Sequence, residues 1–195
     1  MCGFLGVISK DKINKDHIES SNVSTVCRGP DSKNEIFSST RNYNNFDNTY
    51  NFHLIFNRLA IVDLSENAEQ PMYSEKFNTI LMFNGEIFNH AELRIELESK
   101  GINFSSNHSD SEVVLLGLSH FGTNFISKLI GQFSIVFINL NEMKVSLIRD
   151  RTGQKPLFYS INKGALNFGS NLKSVASSLN QTSLSHDSLN AYFSL

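Results

Sequence analysis

An apolar run, Gly3-Phe4-Leu5-Gly6-Val7-Ile8, begins at the third residue of the chain. It reads as a buried strand. Chain termini fray unless something holds them, so a strand starting here must be tied firmly into a sheet. It would also hold rigid the residue before it, Cys2.

Cys2 is the first candidate for chemistry. Once Met1 is removed, this one residue carries both a thiol and a free α-amino group. Their reference pKa values, about 8.5 and about 7.7–8.0, are close, so moving the proton from sulfur to nitrogen costs on the order of 1 kcal/mol. The residue can then supply its own general base, directly or through a water. Its thiolate can attack an amide carbon and form a thioester that water hydrolyses. A cysteine at position two can equally be an accident of sequence. Some rivals are excluded: lipoprotein attachment needs an apolar segment ahead of the cysteine, myristoylation needs glycine there, and a papain-like enzyme needs chain ahead of its nucleophile.

Length and composition bound the remaining classes. The chain has 195 residues, 40% hydrophobic and 18% charged, enough for one globular domain with an ample core. A formal net charge of -2 offers no basic field to nucleic acid or an anionic membrane. No apolar run approaches the roughly 18 residues of a membrane span, and the opening segment is too short for a secretory signal. Two distant cysteines fit a reduced, cytoplasmic protein rather than a disulfide framework. The six histidines form no metal-ligand spacing with either cysteine, so no metal is expected.

The order of elements predicts an α+β protein with sheets and helices in separate layers. A weakly periodic stretch from Ile13 to Val26 reads as a helix ended by Arg28-Gly29-Pro30-Asp31. Phe52–Phe56 and Leu59–Val62 read as strands interrupted at Asn57-Arg58, with the Asn-rich 41–48 stretch a surface loop before them. Thr79–Phe83 is a strand. Asn89 with Glu92 forms a capping box for a helix that buries Leu93 and Leu97 and closes at Gly101. A second helix starts near Ser109-Asp110, turns Val113, Leu116 and Leu118 inward and stops at Gly122. Strands follow at Phe133–Leu140, Lys144–Ile148, Leu157–Ile161 and Ala165–Phe168. Ser183 to Tyr192 opens a capped helix.

Three more sites have two readings each. Asn84-Gly85, between apolar runs, is the strongest short hairpin signal; the same pair also presents an amide and a glycine N–H able to bind an oxyanion. Arg58 could grip a carboxylate through its forked guanidinium or snorkel from an edge strand. Asp110 could cap its helix or bind a cation.

In combination these residues point further. Met1-Cys2-Gly3, Arg28-Gly29-Pro30-Asp31, Arg58 to Asp63, Gln70-Pro71-Met72, Asn84 to Asn89, Ser109 to Glu112 and Arg149 to Tyr159 occur in the order seen in class II glutamine amidotransferases. The chain most resembles the amino-terminal domain of glutamine-hydrolysing asparagine synthetase. That resemblance implies an N-terminal-nucleophile hydrolase fold, a four-layer αββα sandwich. It implies Cys2 as nucleophile with its α-amine as base, and Asn84 (side chain) with Gly85 (backbone) as oxyanion hole. It implies that Arg58 holds the α-carboxylate of L-glutamine, that Glu86 and Asp110 hold its α-ammonium, and that Leu59 and Ile61 complete the substrate-binding set.

The resemblance also divides the chain into a glutaminase domain, 1–180, and a linker with the first helix of an ATP-dependent synthetase domain, 181–195. The rest of that domain, with its ATP and Mg, lies outside this sequence, so no cofactor is expected to bind the segment itself. The implied partners are glutamine, the synthetase domain and a second copy in a homodimer. Four positions depart from the family pattern: Cys27 and Phe56 stand where histidine is usual, and Thr152 and Gln154 replace the usual aromatic and basic residues. Cys27 reads as a buried, inert thiol. The departures remove no proposed catalytic group, but they leave the ammonia acceptor open between aspartate and another carboxylate, for instance on a surface sugar. A catalytically silent docking or regulatory domain is the reading that follows if Met1 stays in place.

Overall fold

The computed structural model describes residues 2–38, 49–60, 68–106, 108–179, 183 and 185–194. Among the described residues, nine strands form two antiparallel sheets. The first contains β1 (Gly3–Ser9), β2 (Ser32–Phe37), β3 (Asn51–Arg58), β8 (Phe158–Asn162) and β9 (Ala165–Gly169), in the order β2-β3-β1-β9-β8. The second contains β4 (Met72–Ser74), β5 (Thr79–Ile87), β6 (Gly131–Asn139) and β7 (Lys144–Arg149), in that order. The terminal strand β1 is therefore central, hydrogen-bonded to β3 on one side and β9 on the other.

Every residue of β1 is buried, because both faces of its sheet are covered. On the outer face Leu5, Val7 and Ile55 pack against Ile18 of α1 (Lys15–Val26) and Val175 of α4 (Leu172–Ser178). On the inner face Phe4, Ile8, Phe52, Leu54, Phe56 and Phe168 meet Ile80, Met82, Val136 and Ile138 of the second sheet. The far side of that sheet packs Leu81, Phe83, Phe133 and Ile135 against α2 (His90–Ser99) and α3 (Asp110–Phe121) through Leu93, Leu97, Val114 and Leu118. The result is the four-layer αββα sandwich. A 3-10 turn at Gly122–Lys128 follows α3, and α5 (His186–Phe193) is the last element.

Several sequence expectations change. Asn57-Arg58 does not interrupt a strand: β3 runs to Arg58, and Leu59-Ala60 is irregular. Asn84-Gly85 is not a hairpin. β5 passes straight through it, with Asn84 opposite Ser134 and Gly85 opposite Phe133. Asn89 precedes α2 but makes no side-chain cap. Its amide instead donates to Lys128 O and accepts from Ile130 N–H, tying the end of β5 to the start of β6. Ser109, rather than Asp110, caps α3, its hydroxyl accepting from Glu112 N–H, and Asp110 is the first residue of the helix. Cys27 is exposed rather than buried. The Asn-rich 41–48 stretch lies outside the described residues.

Gly6 lies on the inner face of β1 where Phe168 crosses. A Cβ built there would sit 2.3 Å from the Phe168 ring, which is fully buried. Gly6→Ala is therefore expected to lower unfolding stability by about 1–3 kcal/mol, the usual cost of overpacking a filled core. The check is the urea midpoint at unchanged m; an unshifted midpoint would contradict this packing.

Candidate active site

Side chains alternate between the faces of a strand, and this period carries the inner faces past the apolar core to one end of the sandwich. Cys2 continues the face of Phe4 and Ile8. Arg58 continues that of Phe52, Leu54 and Phe56, and Asn84 and Glu86 that of Ile80 and Met82. All four line one cavity of about 220 Å³. Leu59, Gly85 and Asp110 line it as well. Every sequence-predicted site residue therefore converges on one pocket except Ile61, which lies outside the described residues.

The nucleophile's place is set by backbone contacts. The Leu59 N–H donates to Cys2 Sγ at 3.4 Å, and the thiol donates to Leu59 O at 3.7 Å. Leu59 thus acts on the sulfur through its main chain. Arg28 Nε donates to Cys2 O at 3.2 Å. Behind it, Asn57, which pairs with Gly3, donates from Nδ2 to Asn22 Oδ1 and Thr25 Oγ1 in a buried cluster that locks α1 to β3. Burial pushes the Cys2 thiol pKa above its ordinary value; the Leu59 N–H and the positive charges of Arg58 and Arg28 offset this only in part.

Opposite it, Asn84 is 1% exposed and its Nδ2 has no hydrogen-bond partner among the described residues. An orphaned buried donor costs on the order of 1–3 kcal/mol, which an acceptor entering the pocket would recover. Gly85 is required by close approach: a Cβ there would meet Gln132 O at 2.1 Å. Arg58 is 8% exposed. Asp110 is buried at the start of α3 and accepts from Ile87 N–H at 3.2 Å. Burial raises its pKa, countered incompletely by that bond and by His90. Glu86 is exposed at the mouth. The pocket is thus lined by two buried cations, Arg58 and Lys155, by the carboxylates of Glu86 and Asp110, and by an unsatisfied amide donor that shares the cavity with the thiol.

Polar side chains replace strand bonds to hold these walls. Asp31 accepts from Ala60 N–H at 2.8 Å, while its own N–H donates to Arg58 O. Gln70 brackets Phe83, donating to its carbonyl and accepting its N–H, one residue before Asn84. Asp150 receives the N–H groups of Thr152, Gln154, Lys155 and Phe133 and the Thr152 hydroxyl. Burial alone would raise its carboxyl; those donors hold it well below the usual carboxylate range.

Four polar lining residues escaped the sequence reading: Gln70, Ser111, Gln132 and Lys155. Gln70 and Lys155 sit inside motifs that were noted, and Gln132 shares the inner face of β6 with Val136, a parity visible only once the strand's start is known. Away from the pocket, ligand atoms of Glu19, Glu35 and His53 approach within 4.8 Å of one another. Lys15 bridges both carboxylates, at 3.5 and 2.5 Å, so that cluster already has its cation. No helix among the described residues is long and apolar enough to cross a membrane.

Residues 1–195 match the family model described as a glutamine amidotransferase domain. The chain is 34% identical over 199 residues to asparagine synthetase [glutamine-hydrolyzing] 1 of Bacillus subtilis (strain 168), covering 100% of this chain and 29% of that protein. It is 35% identical over 182 residues to asparagine synthetase [glutamine-hydrolyzing] 2 of the same organism, covering 91% and 22%. The chain thus spans less than a third of these relatives' length. Among solved structures, glutamine phosphoribosylpyrophosphate amidotransferase from B. subtilis superposes with a TM-score of 0.68 at 19% identity, covering 91% of this chain and 43% of that one.

Asp150→Asn keeps the shape but removes the charge that gathers its donors. It is expected to cost about 2–4 kcal/mol, the range for losing charge-assisted bonds in a buried cluster. Because the folded-state pKa is depressed, this stabilisation is present above the unfolded carboxylate value of about 3.9 and lost as pH falls toward the folded value. Urea midpoints measured against pH should show a shallower acid limb in the variant; parallel curves would contradict the assignment.

Proposed function

From its membership of the glutamine amidotransferase domain family, to which this chain belongs, we propose that it hydrolyses L-glutamine to glutamate and ammonia through a thioester on Cys2. The observation that carries this reading is the buried Asn84 Nδ2, which has no acceptor among the described residues and shares a cavity with the Cys2 thiol.

Removal of Met1 frees the Cys2 α-amine. That amine takes the thiol proton, and Sγ bonds to the side-chain carbonyl carbon of glutamine. The carbonyl π electrons move to oxygen, where Asn84 Nδ2 and the Gly85 N–H stabilise the oxyanion. As the oxyanion collapses, the C–N bond breaks, and the departing nitrogen takes the proton from the α-ammonium and leaves as ammonia. Water then adds to the thioester, giving its proton to the α-amine. The second collapse breaks the C–S bond, the sulfur recovers a proton, and glutamate departs. Arg58 holds the substrate α-carboxylate, with Glu86 and Asp110 on the α-ammonium. The raised Cys2 pKa fits an adjacent amine base, since the thiol would stay protonated without one.

In the wider protein, ammonia passes to an ATP-dependent synthetase portion that amidates a carboxylate. Aspartate is the proposed acceptor, on the strength of the relatives named above. ATP and Mg belong to that portion. A reducing, cytoplasmic setting suits a thiol catalyst beside a second free cysteine, Cys27.

Glutamate release from L-glutamine tests the proposal. Cys2→Ala is expected to abolish it, and Asn84→Ala to lower kcat by about 10²–10³, the usual loss of one oxyanion donor. Undiminished turnover in Cys2→Ala would end the reading. Asp110 binds ammonium only as the carboxylate, and its raised pKa means that form is lost, as pH falls, before an ordinary carboxylate near 3.9 would protonate. KM for glutamine should therefore climb on the acid side, and that climb should be absent in Asp110→Asn. A profile unaltered by the substitution removes Asp110 from substrate binding.

A further inference from the structure

Lys155 is a cation without an assignment. It is 9% exposed and lines the Cys2 cavity, yet no salt bridge or side-chain hydrogen bond engages its Nζ among the described residues. Its backbone is fixed on both sides: the N–H donates to Asp150 Oδ2, and the carbonyl accepts from Arg149 Nε. The same Asp150 oxygen accepts the N–H of Phe133, which pairs with Gly85. One carboxylate oxygen therefore joins the base of Lys155 to the strand backing the oxyanion donors. A buried charge persists at low cost only with an opposite charge to meet. Asp150 is consumed by backbone donors, and neither Glu86 nor Asp110 forms an ion pair with Lys155 among the described residues. Its Nζ is not fully enclosed, so water solvates the charge until the chemistry brings an anion.

We propose that Lys155 is a further catalytic residue, whose ammonium meets the negative charge that arises at the reacting centre, on the Cys2 thiolate, on the tetrahedral oxyanion and on the γ-carboxylate of departing glutamate. This inference rests on the thioester reading of the pocket. The substrate carries its α-carboxylate from the outset, and Arg58 is there to receive it. Charge at the side-chain carbonyl develops only during reaction, and a group meeting it lowers the barrier without tightening ground-state binding. The step needs no proton from Lys155, and the cation is unchanged at the end of the cycle.

The test compares the 195-residue chain with Lys155→Met and Lys155→Arg, with circular dichroism and melting as fold controls. Lys155→Met is expected to lower kcat roughly 10–100-fold while changing KM for glutamine less than about threefold; Lys155→Arg should restore most of kcat. The second readout is alkylation of Cys2 by anionic iodoacetate relative to neutral iodoacetamide. That rate ratio reports local positive charge and should fall several-fold in Lys155→Met alone. A rise in KM at constant kcat would make Lys155 a ground-state carboxylate ligand and overturn the proposal, as would unchanged kcat or an unchanged alkylation ratio. Should the Met variant not fold, Lys155→Gln carries the same comparison. A wild-type chain that hydrolyses no glutamine defeats the proposed function instead, and the alkylation ratio still decides whether Lys155 charges the pocket.

Discussion

The structure depends on the contact between the inner faces of two sheets. Phe4, Phe52, Leu54, Phe56 and Phe168 meet Ile80, Met82, Val136 and Ile138 across it, and no covalent link other than the chain itself holds one sheet to the other. Side-chain direction alternates with a period of two, so a one-residue slip would turn an entire face away from its partner. The apolar core thus fixes the register of β1, β3, β5 and β6 together. The same parity then dictates where Cys2, Arg58, Asn84 and Glu86 point at the end of the interface. The site is what the core becomes where its apolar residues run out.

Holding such a site open requires backbone that is neither sheet nor helix, with its polar groups still satisfied. Asp31 clamps the chain just beyond Arg58, Gln70 brackets Phe83 ahead of Asn84, and Asp150 gathers the loop that carries Lys155. Each belongs to a short sequence motif that keeps a wall in place, and the Asp150 motif also carries Lys155 into the cavity. The buried Asn22, Thr25 and Asn57 cluster does the same for the floor, joining α1 to the strand beside Gly3.

Much of this was legible in the sequence where chemistry and burial pointed the same way. The apolar opening run could only be a buried strand, and β1 is central. Cys2 and Arg58 stood out because nucleophilicity or charge accompanied an apolar run, and Asp110 because it opens a helix. Asn84-Gly85 was misleading locally: its turn propensity is real, but pairing with Ser134 and Phe133 on β6 overrides it, and the glycine serves close approach to Gln132 O. Asn89 looked like a cap and bridges two strands instead. β2 and β4 gave little signal, one polar and at a sheet edge, the other three residues long. Lys155 and Gln132 could not be read as site residues, since only the three-dimensional path of their strands and loop brings them to Cys2.

If, as proposed, a sulfur and an uncapped amine on one residue perform the chemistry in the Cys2 pocket, an electrophilic glutamine analogue should leave a single adduct. Peptide mass mapping should place that adduct on Cys2, in a chain whose first residue is that cysteine, with labelling suppressed by excess glutamine. Labelling of Cys27 instead, or equal labelling of a chain that keeps Met1, would contradict it.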